Sequence, residues 1–153
     1  MPNKYSMKDY NKETMARAIG LSLPISTKHS IEICDFIRNK NLSKAKEILK
    51  EVIDEKKAVP FRKFNGGVGH KKKIGPGRYP KKASLEIIRL LNNVEVNAQF
   101  KGINTANLFI KHICANIASR PWHYGRQRRR KMKRTHIEVI VEERAVKENI
   151  KKK

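Results

Sequence analysis

The chain has 153 residues and a formal net charge of +22, from 36 Lys and Arg against 14 Asp and Glu. This length favours one domain, 1–153, and so high a charge opposes a compact free state unless a polyanion neutralises it. The polar N-terminus and the lack of an apolar run near the ~18 residues of a membrane span indicate a cytoplasmic protein without membrane contact. Cys34 and Cys114 lack metal-site spacing and are interpreted as reduced core thiols.

The first part of the chain predicts a strand followed by two helices. Met15–Leu23 is interpreted as a short strand, and Ser26 or Thr27 can cap a helix that runs to about Asn39. Ser43 can cap a second helix. The apolar stripe of that second helix consists of Ala45, Ile48, Leu49, Val52 and Ile53.

An acid-free stretch, 56–82, follows these helices. Its segment 56–80 mixes Gly and Pro with Phe61, Phe64 and Tyr79, a composition that favours an ordered loop over a linker. The Gly-rich run 65–73 does not fit the phosphate-loop pattern GxxxxGK[ST], so we interpret it as backbone that closely approaches RNA phosphates. The candidate RNA-binding residues of this loop are Arg62, Lys63, His70, Lys71, Lys72, Lys73 and Arg78.

The second part predicts a long helix and two strands. The helix spans Lys81–Phe100, and a short turn runs from Asn104 to Leu108. Phe109–Ala118 and Thr135–Glu142 are predicted strands; alternation places Phe109, Lys111, Ile113, Ala115 and Ile117 on one face of the first. Residues 145–153 are expected to form a frayed basic tail. The predicted fold is α+β: three helices on one face of a small antiparallel three-stranded sheet, with a long protruding basic β-hairpin.

The predicted hairpin coincides with a second acid-free stretch, between Glu95 and Glu138. Arginine forks grip phosphates, and aromatic rings stack on unpaired bases. A solvated charge run or a localisation signal is the alternative for the basic run alone, but its place in a hairpin favours nucleic acid. The basic candidates are Arg120, Arg126, Arg128, Arg129, Arg130, Lys131, Lys133 and Arg134, and the stacking candidates at the bend are Trp122, His123 and Tyr124.

Enzymatic activity has no support in the sequence. The chain shows no nucleophile elbow, and its five histidines do not pair with each other or with Cys at metal-ligand spacing. Glu32 and Glu47 are predicted to be solvated groups on helix surfaces. We therefore expect a binding protein with no catalytic residue, no metal and no cofactor.

Two classes of nucleic-acid partner fit a basic β-ribbon. The favoured one is structured RNA, read mainly by its shape and its phosphates. The alternative is a DNA-compacting protein, which would need a dimer so that two ribbons clasp the duplex. The predicted helices show no dimerisation stripe beyond their core faces.

Three strings resemble a known family: VPFRKFNGGVGH at 59–70, GRYPKKA at 77–83 and THIEV at 135–139. They are similar to the archaeal and eukaryotic branch of the large-subunit ribosomal protein family L twenty-two, called L seventeen in eukaryotes. The resemblance extends from about Ala16 to Glu143, and the asparagine-rich helix end at 92–102 also fits.

The resemblance implies a body on the surface of the large ribosomal subunit and a role in subunit assembly. It also implies a hairpin, Ile113 to Ile137, whose tip lines the peptide exit tunnel. The implied partners are large-subunit rRNA, neighbouring large-subunit proteins and the nascent peptide at the tunnel wall. The family's tip pattern, Pro-Arg-Ala-x-Gly-Arg, matches Pro121 to Arg126 here, with Trp122 in place of the first arginine.

Overall fold

The computed structural model describes residues 5–144, so the predicted tail 145–153 lies outside the described residues. Three helices and antiparallel sheets confirm the α+β class, while the single-domain organisation stays a prediction. The elements in order are β1 Met15–Leu23, α1 Thr27–Ile37, α2 Leu42–Ile53, β2 Val59–Pro60, β3 His70–Lys71, β4 Gly75–Arg78, α3 Lys81–Phe100, β5 Leu108–Ile117 and β6 Thr135–Glu143, with 3-10 turns at Thr105–Asn107 and Gly125–Gln127.

The main sheet has the strand order β1-β6-β5 and is antiparallel throughout. Met15 pairs with Glu142 and Leu23 with Thr135, so the two ends of β1 mark the two ends of the sheet. Ile117 of β5 also pairs with Thr135, which places the start of the connecting hairpin at the Leu23 end. Helix α3 packs on β1, and α1 packs on β5.

The core lies between the helices and this sheet. Each fully buried Ile or Leu side chain contributes roughly 1.5–3 kcal/mol by leaving water. The central strand β6 is the most enclosed, because it has a hydrogen-bonded neighbour on each edge. The largest fully buried side chains are Ile25, Ile33, Ile37, Leu42, Leu49, Ile87, Leu91, Leu108, Ile110, Ile113, Ile137 and Ile140.

A β-bulge interrupts β5, so the predicted strict alternation along this strand is wrong. The register with β6 shifts between Ile110 and His112, which leaves Lys111 without a partner position. The bulge moves the inward face by one residue. Consequently Ile110 and Ile113 are both fully buried. Ile117 keeps the pairing register of Ile113 but lies at the end of the strand, where it is 73% exposed.

The N-terminal segment reaches the side chain of Glu138 on β6. Glu138 is only 4% exposed, and it accepts the backbone N–H of Ser6 at 3.1 Å. The Nε2 atom of His112 lies 2.9 Å from the same carboxylate. The sequence predicted a strand here, but it did not indicate that the side chain of Glu138 would be covered.

The helix boundaries follow the prediction closely, with one difference in capping. Helix α3 spans the predicted residues. Helix α2 begins at Leu42, and Asn41 caps it by accepting the Ser43 N–H at 2.9 Å, so the predicted cap at Ser43 is wrong. Asn39 lies beyond the end of α1 with a positive φ of 58°, a conformation that Asn tolerates better than most residues.

Candidate nucleic-acid interface

The basic loop 56–82 is anchored on a buried carboxylate of α1. Glu32 is 2% exposed and accepts three backbone N–H groups, from Arg62 at 3.0 Å and from Lys63 and Phe64 at 2.8 Å each. The prediction that Glu32 is a solvated surface group is therefore wrong. The chain folds back over α1 after β2, and its backbone N–H groups replace the water that would otherwise solvate the carboxylate.

Short strands within this loop form a second sheet, which the sequence did not predict. Its order is β2-β4-β3, and the turn between β3 and β4 presents Lys72 and Lys73 to solvent. A Cβ atom at Gly77 would lie 3.2 Å from the Lys71 side chain and 3.3 Å from the Val59 carbonyl oxygen. Glycine at this position therefore allows the close approach of the three strands.

Aromatic residues and Arg78 fix the face of the loop nearest α1. Phe61 is buried and meets the ring of His29 edge to face, with centroids 5.5 Å apart. The Arg78 guanidinium lies 6.0 Å above the Phe61 ring and donates to the Gly67 carbonyl at 3.3 Å. Lys71 lies over the Tyr79 ring at 5.1 Å. These contacts orient the basic side chains without neutralising them.

Antiparallel hydrogen bonding continues beyond the main sheet into the segment that connects β5 and β6. Ala118 donates to the Arg134 carbonyl at 3.2 Å, Met132 to Pro121 at 2.8 Å and His123 to Arg130 at 2.9 Å. In the described stretch 119–134 no residue is buried. A ribbon of this kind has no core of its own and is marginal without a partner.

The bend of this ribbon exposes its aromatic side chains. Trp122 is 58% exposed and Tyr124 86%, whereas His123 is half-buried. The Lys131 Nζ atom lies 4.6 Å from the Trp122 ring centroid. One cation is thus already placed against the indole ring of a predicted stacking candidate.

The two acid-free stretches meet beside His29 at the start of α1. Burial lowers the pKa of His29, and the positive charges of Arg78 and Lys133 lower it further. Arg78 belongs to the loop and Lys133 to the hairpin, so the fold joins two basic stretches that are separate in sequence. A cleft of about 390 Å³ lies here, lined by Ser26, Thr27, Lys28, His29, Ile117, Arg120, Lys133 and Arg134.

The sequence did not predict Lys28 and His29 as residues of the nucleic-acid interface, although both line this cleft. They lie in the first turn of an amphipathic helix, where nothing in the local sequence sets them apart. Only the packing of α1 against β5 brings that turn to the base of the hairpin. The amide groups at a helix N-terminus add positive potential to the same cleft.

The predicted basic residues differ in how far protein groups already engage them. Lys63 forms an ion pair with Asp35 at 2.9 Å, and Arg134 donates to the Ser22 carbonyl at 3.0 Å. Arg120 donates to the Met132 carbonyl at 3.1 Å. Within residues 5–144, no carboxylate forms an ion pair with a hairpin cation between 118 and 134. The predicted basic residues that are solvent-exposed are Arg62, Lys63, His70, Lys72, Lys73, Arg78, Arg120, Arg126, Arg128, Arg129, Arg130, Lys131 and Lys133.

Among residues 5–144, no cluster of three or more His, Cys, Asp or Glu side chains could hold a metal ion. No helix in those residues is both long and apolar enough to cross a membrane. The dominant surface feature of these residues is the excess of positive charge in the two acid-free stretches, where only some cations, such as Lys63, pair with an acid.

Comparison with known proteins identifies the family of the chain. The family described as ribosomal protein L22p/L17e matches residues 18–142. A protein named large ribosomal subunit protein uL22 from Methanopyrus kandleri is 44% identical over 145 residues, covering 89% of this chain and 91% of that protein. Proteins of the same name from Methanosphaera stadtmanae and Methanocaldococcus jannaschii are 40% and 41% identical, covering 92% and 87% of this chain and 97% and 90% of those proteins. The chain belongs to the ribosomal protein L22p/L17e family.

Proposed function

We propose that the chain is a structural, non-catalytic constituent of the large ribosomal subunit that binds rRNA through its basic loop and its hairpin. The observation that carries this proposal is the meeting of the two acid-free stretches around His29. The His29 ring lies 5.5 Å from the ring of Phe61 in the loop, and His29 lines one cleft together with Lys133 and Arg134 of the hairpin. Like charges gathered in this way repel one another unless a polyanion lies between them. The large-subunit names of the relatives support the same partner.

The mechanism is neutralisation of closely spaced phosphates. Each Lys or Arg that contacts a phosphate releases condensed counterions, so affinity falls as salt rises. The loop offers this charge on exposed side chains: Arg62 lies in the segment that Glu32 anchors, and Lys72 and Lys73 lie in the turn between β3 and β4. The hairpin carries its positive charge on two backbone segments that hydrogen-bond to each other, and none of its residues from 119 to 134 is buried. Both surfaces suit the shape and phosphates of RNA better than base sequence.

The hairpin is proposed to protrude into the subunit and to line the peptide exit tunnel with Trp122, His123 and Tyr124. The exposure of Trp122 and Tyr124 supports a role in contact with RNA bases or with the nascent peptide. A cytoplasmic ribosome, a contribution to subunit assembly and contacts with neighbouring large-subunit proteins complete the proposal. Ordering of residues 118–134 is proposed to be completed by rRNA, because the ribbon buries too little to be stable alone.

Sedimentation of tagged full-length protein from cells, after a moderate salt wash, tests this function. We expect stoichiometric comigration with the large subunit and with polysomes. Migration with chromatin would overturn the proposal in favour of the DNA-compacting alternative, and a stable dimer in solution would support that alternative. Migration at the top of the gradient would also contradict a ribosomal function.

A further inference from the structure

A second aromatic and basic cluster lies at the end of the main sheet opposite to the hairpin. It is built by the N-terminal segment, the start of β1 and the last turn of α3. The Arg17 Cζ atom lies 4.6 Å from the Tyr5 ring centroid and 4.5 Å from that of Tyr10. Tyr10 is held in turn, because its hydroxyl donates to the Met15 carbonyl at 3.0 Å and accepts from Lys101 Nζ at 2.5 Å.

The two tyrosine rings orient the guanidinium of Arg17, but its N–H groups remain available to a ligand. Asn97 of α3 fixes the backbone beside it by donating to the Arg17 carbonyl at 2.9 Å. Within residues 5–144, no carboxylate or carbonyl oxygen accepts a hydrogen bond from the guanidinium itself, which is solvent-exposed. A planar fork held against two rings loses little conformational freedom when it binds a phosphate.

Phe100 is the third aromatic residue of the cluster. It is the last residue of α3, and 94% of it is exposed, the highest value among the large exposed apolar residues. A cleft of about 390 Å³ adjoins its ring, lined by Tyr5, Tyr10, Lys12, Arg17, Asn97, Phe100 and Lys101. That volume lies within the range of roughly 300–1,000 Å³ that is typical of small-ligand sites.

We propose that this cluster, called here the Arg17 cleft, binds one unpaired nucleotide of an RNA strand. The base stacks on Phe100, and a neighbouring phosphate takes the free edge of the Arg17 guanidinium. Stacking on an aromatic ring tolerates any base, so the site reads an unstacked nucleotide rather than a sequence.

The chemistry of the lining favours RNA over a protein partner. Its charged members, Lys12, Arg17 and Lys101, are all cations, and no carboxylate is among the lining residues. Asp9 and Glu13 line a neighbouring cleft instead. An apolar protein anchor would need to displace water from around three cations, whereas a nucleotide satisfies both the cations and the ring.

The Arg17 cleft is a contact separate from the interface around His29. Met15 lies at the end of β1 that pairs with Glu142, while the hairpin begins at the end where Leu23 pairs with Thr135. A nine-residue strand spans roughly 30 Å. The inference rests on the proposed rRNA-binding function but adds a second anchoring point on the far side of the body.

Binding of short RNA probes by the full-length chain tests the inference. The measurement is made in the background Arg128→Ala, Arg129→Ala, Arg130→Ala, which weakens the hairpin and leaves the Arg17 cleft intact. The probes are a short single-stranded oligoadenylate and an abasic ribose-phosphate strand of equal length. The variants are Phe100→Ala and Arg17→Lys, with Val96→Ala as the matched control, since Val96 is 60% exposed one turn earlier on α3 and does not line the cleft.

We expect Phe100→Ala to weaken oligoadenylate binding by about 5- to 100-fold and to leave abasic-strand binding unchanged, because only the first probe can stack. Arg17→Lys should weaken both probes, since both carry phosphates, and Val96→Ala should weaken neither. Equal losses of both probes in Phe100→Ala, or no loss of either, would overturn the inference. Ultraviolet cross-linking in assembled large subunits gives a second readout, in which a cross-link from the cleft to a protein instead of RNA would also overturn it.

The two proposals fail in different ways. If the chain does not bind rRNA at all, the unmodified protein will neither comigrate with large subunits nor bind the probes. If only the Arg17 cleft is wrongly assigned, the unmodified protein will bind both probes, the hairpin variant will bind them less, and Phe100→Ala will behave like Val96→Ala.

Discussion

The buried carboxylate of Glu32 accepts the backbone N–H of Lys63 at 2.8 Å. The same carboxylate also holds the N–H groups on either side of Lys63 in the chain. A single negative charge on α1 thus supports a loop that carries no acidic residue of its own. Because backbone N–H groups satisfy this acid, Glu32 does not neutralise the lysine and arginine side chains of the loop.

Replacement of Glu32 by Ala should destabilise the protein strongly. Three backbone donors would lose a charged acceptor, and we expect the free energy of unfolding to fall by about 3 kcal/mol or more. Urea unfolding measures the change, and hydrogen exchange of the amides of residues 62–64 localises it. Glu47→Ala is the control, because Glu47 is an exposed acid on α2. Similar small decreases in the free energy of unfolding in both variants would show that Glu32 does not anchor the loop.

Replacement of Arg128, Arg129 and Arg130 by Ala should weaken RNA binding and flatten its salt dependence. Each phosphate contact that is lost should reduce the slope of log K against log salt by roughly 0.7 to 0.9. The matched control is Lys44→Ala, Lys50→Ala, Arg89→Ala, which lowers the net charge equally on exposed positions of α2 and α3. An unchanged slope in the hairpin variant would mean that this run faces solvent.

Stability should decrease as the pH falls below about 6.5 because of His29. Its pKa in the folded protein is lowered from 6.5 by burial and by Arg78 and Lys133. Above pH 6.5 the ring is neutral in both states and stability is at its full value. As the pH falls through 6.5, the unfolded chain takes up a proton that the folded chain disfavours, so stability declines until the pH is below the folded pKa.

The variant His29→Gln should flatten this dependence, as measured by thermal unfolding across the range, whereas His123→Gln at the hairpin tip should not. The two carboxyl groups whose pKa values are lowered do not contribute to the pH dependence of stability near pH 6.5. Hydrogen bonds from Lys81 and Lys111 lower the pKa values of Glu55 and Glu142 below 4.5, so their contributions are lost in a more acid range. A pH profile that is unaltered in His29→Gln would contradict the assignment.

Deletion of Trp122 to Gly125 should leave incorporation into large subunits largely intact while changing the part of the tunnel wall that the proposed function assigns to this segment. The hydrogen bonds between Ala118 and Arg134 and between Met132 and Pro121 lie outside the deleted segment. Gradient sedimentation measures incorporation, and cross-linking of nascent chains to the hairpin measures the change at the wall. Complete loss of the variant from large subunits would show that the tip anchors the protein.

The sequence alone determined the elements whose signals are local. The apolar periodicity of α2 and α3 and the alternation in β6 depend only on residues close together in the chain. The ends of α3 and β6 were predicted within a residue of those observed, and α2 was predicted by its start and its apolar stripe. The family was likewise indicated by short strings, above all the one at 59–70. The excess of positive charge in the two acid-free stretches is also visible from the sequence alone.

The tertiary structure decided what depends on contacts between distant residues. The burial of Glu32 follows from the return of residues 62–64 over α1, and no pattern around Glu32 itself distinguishes it from Glu47. The bulge at Lys111 arises from the register between β5 and β6, which the period of one strand does not reveal. The convergence of Arg78 and Lys133 beside His29, and of Tyr5 and Phe100 around Arg17, exists only because packing brings separate segments to the same place.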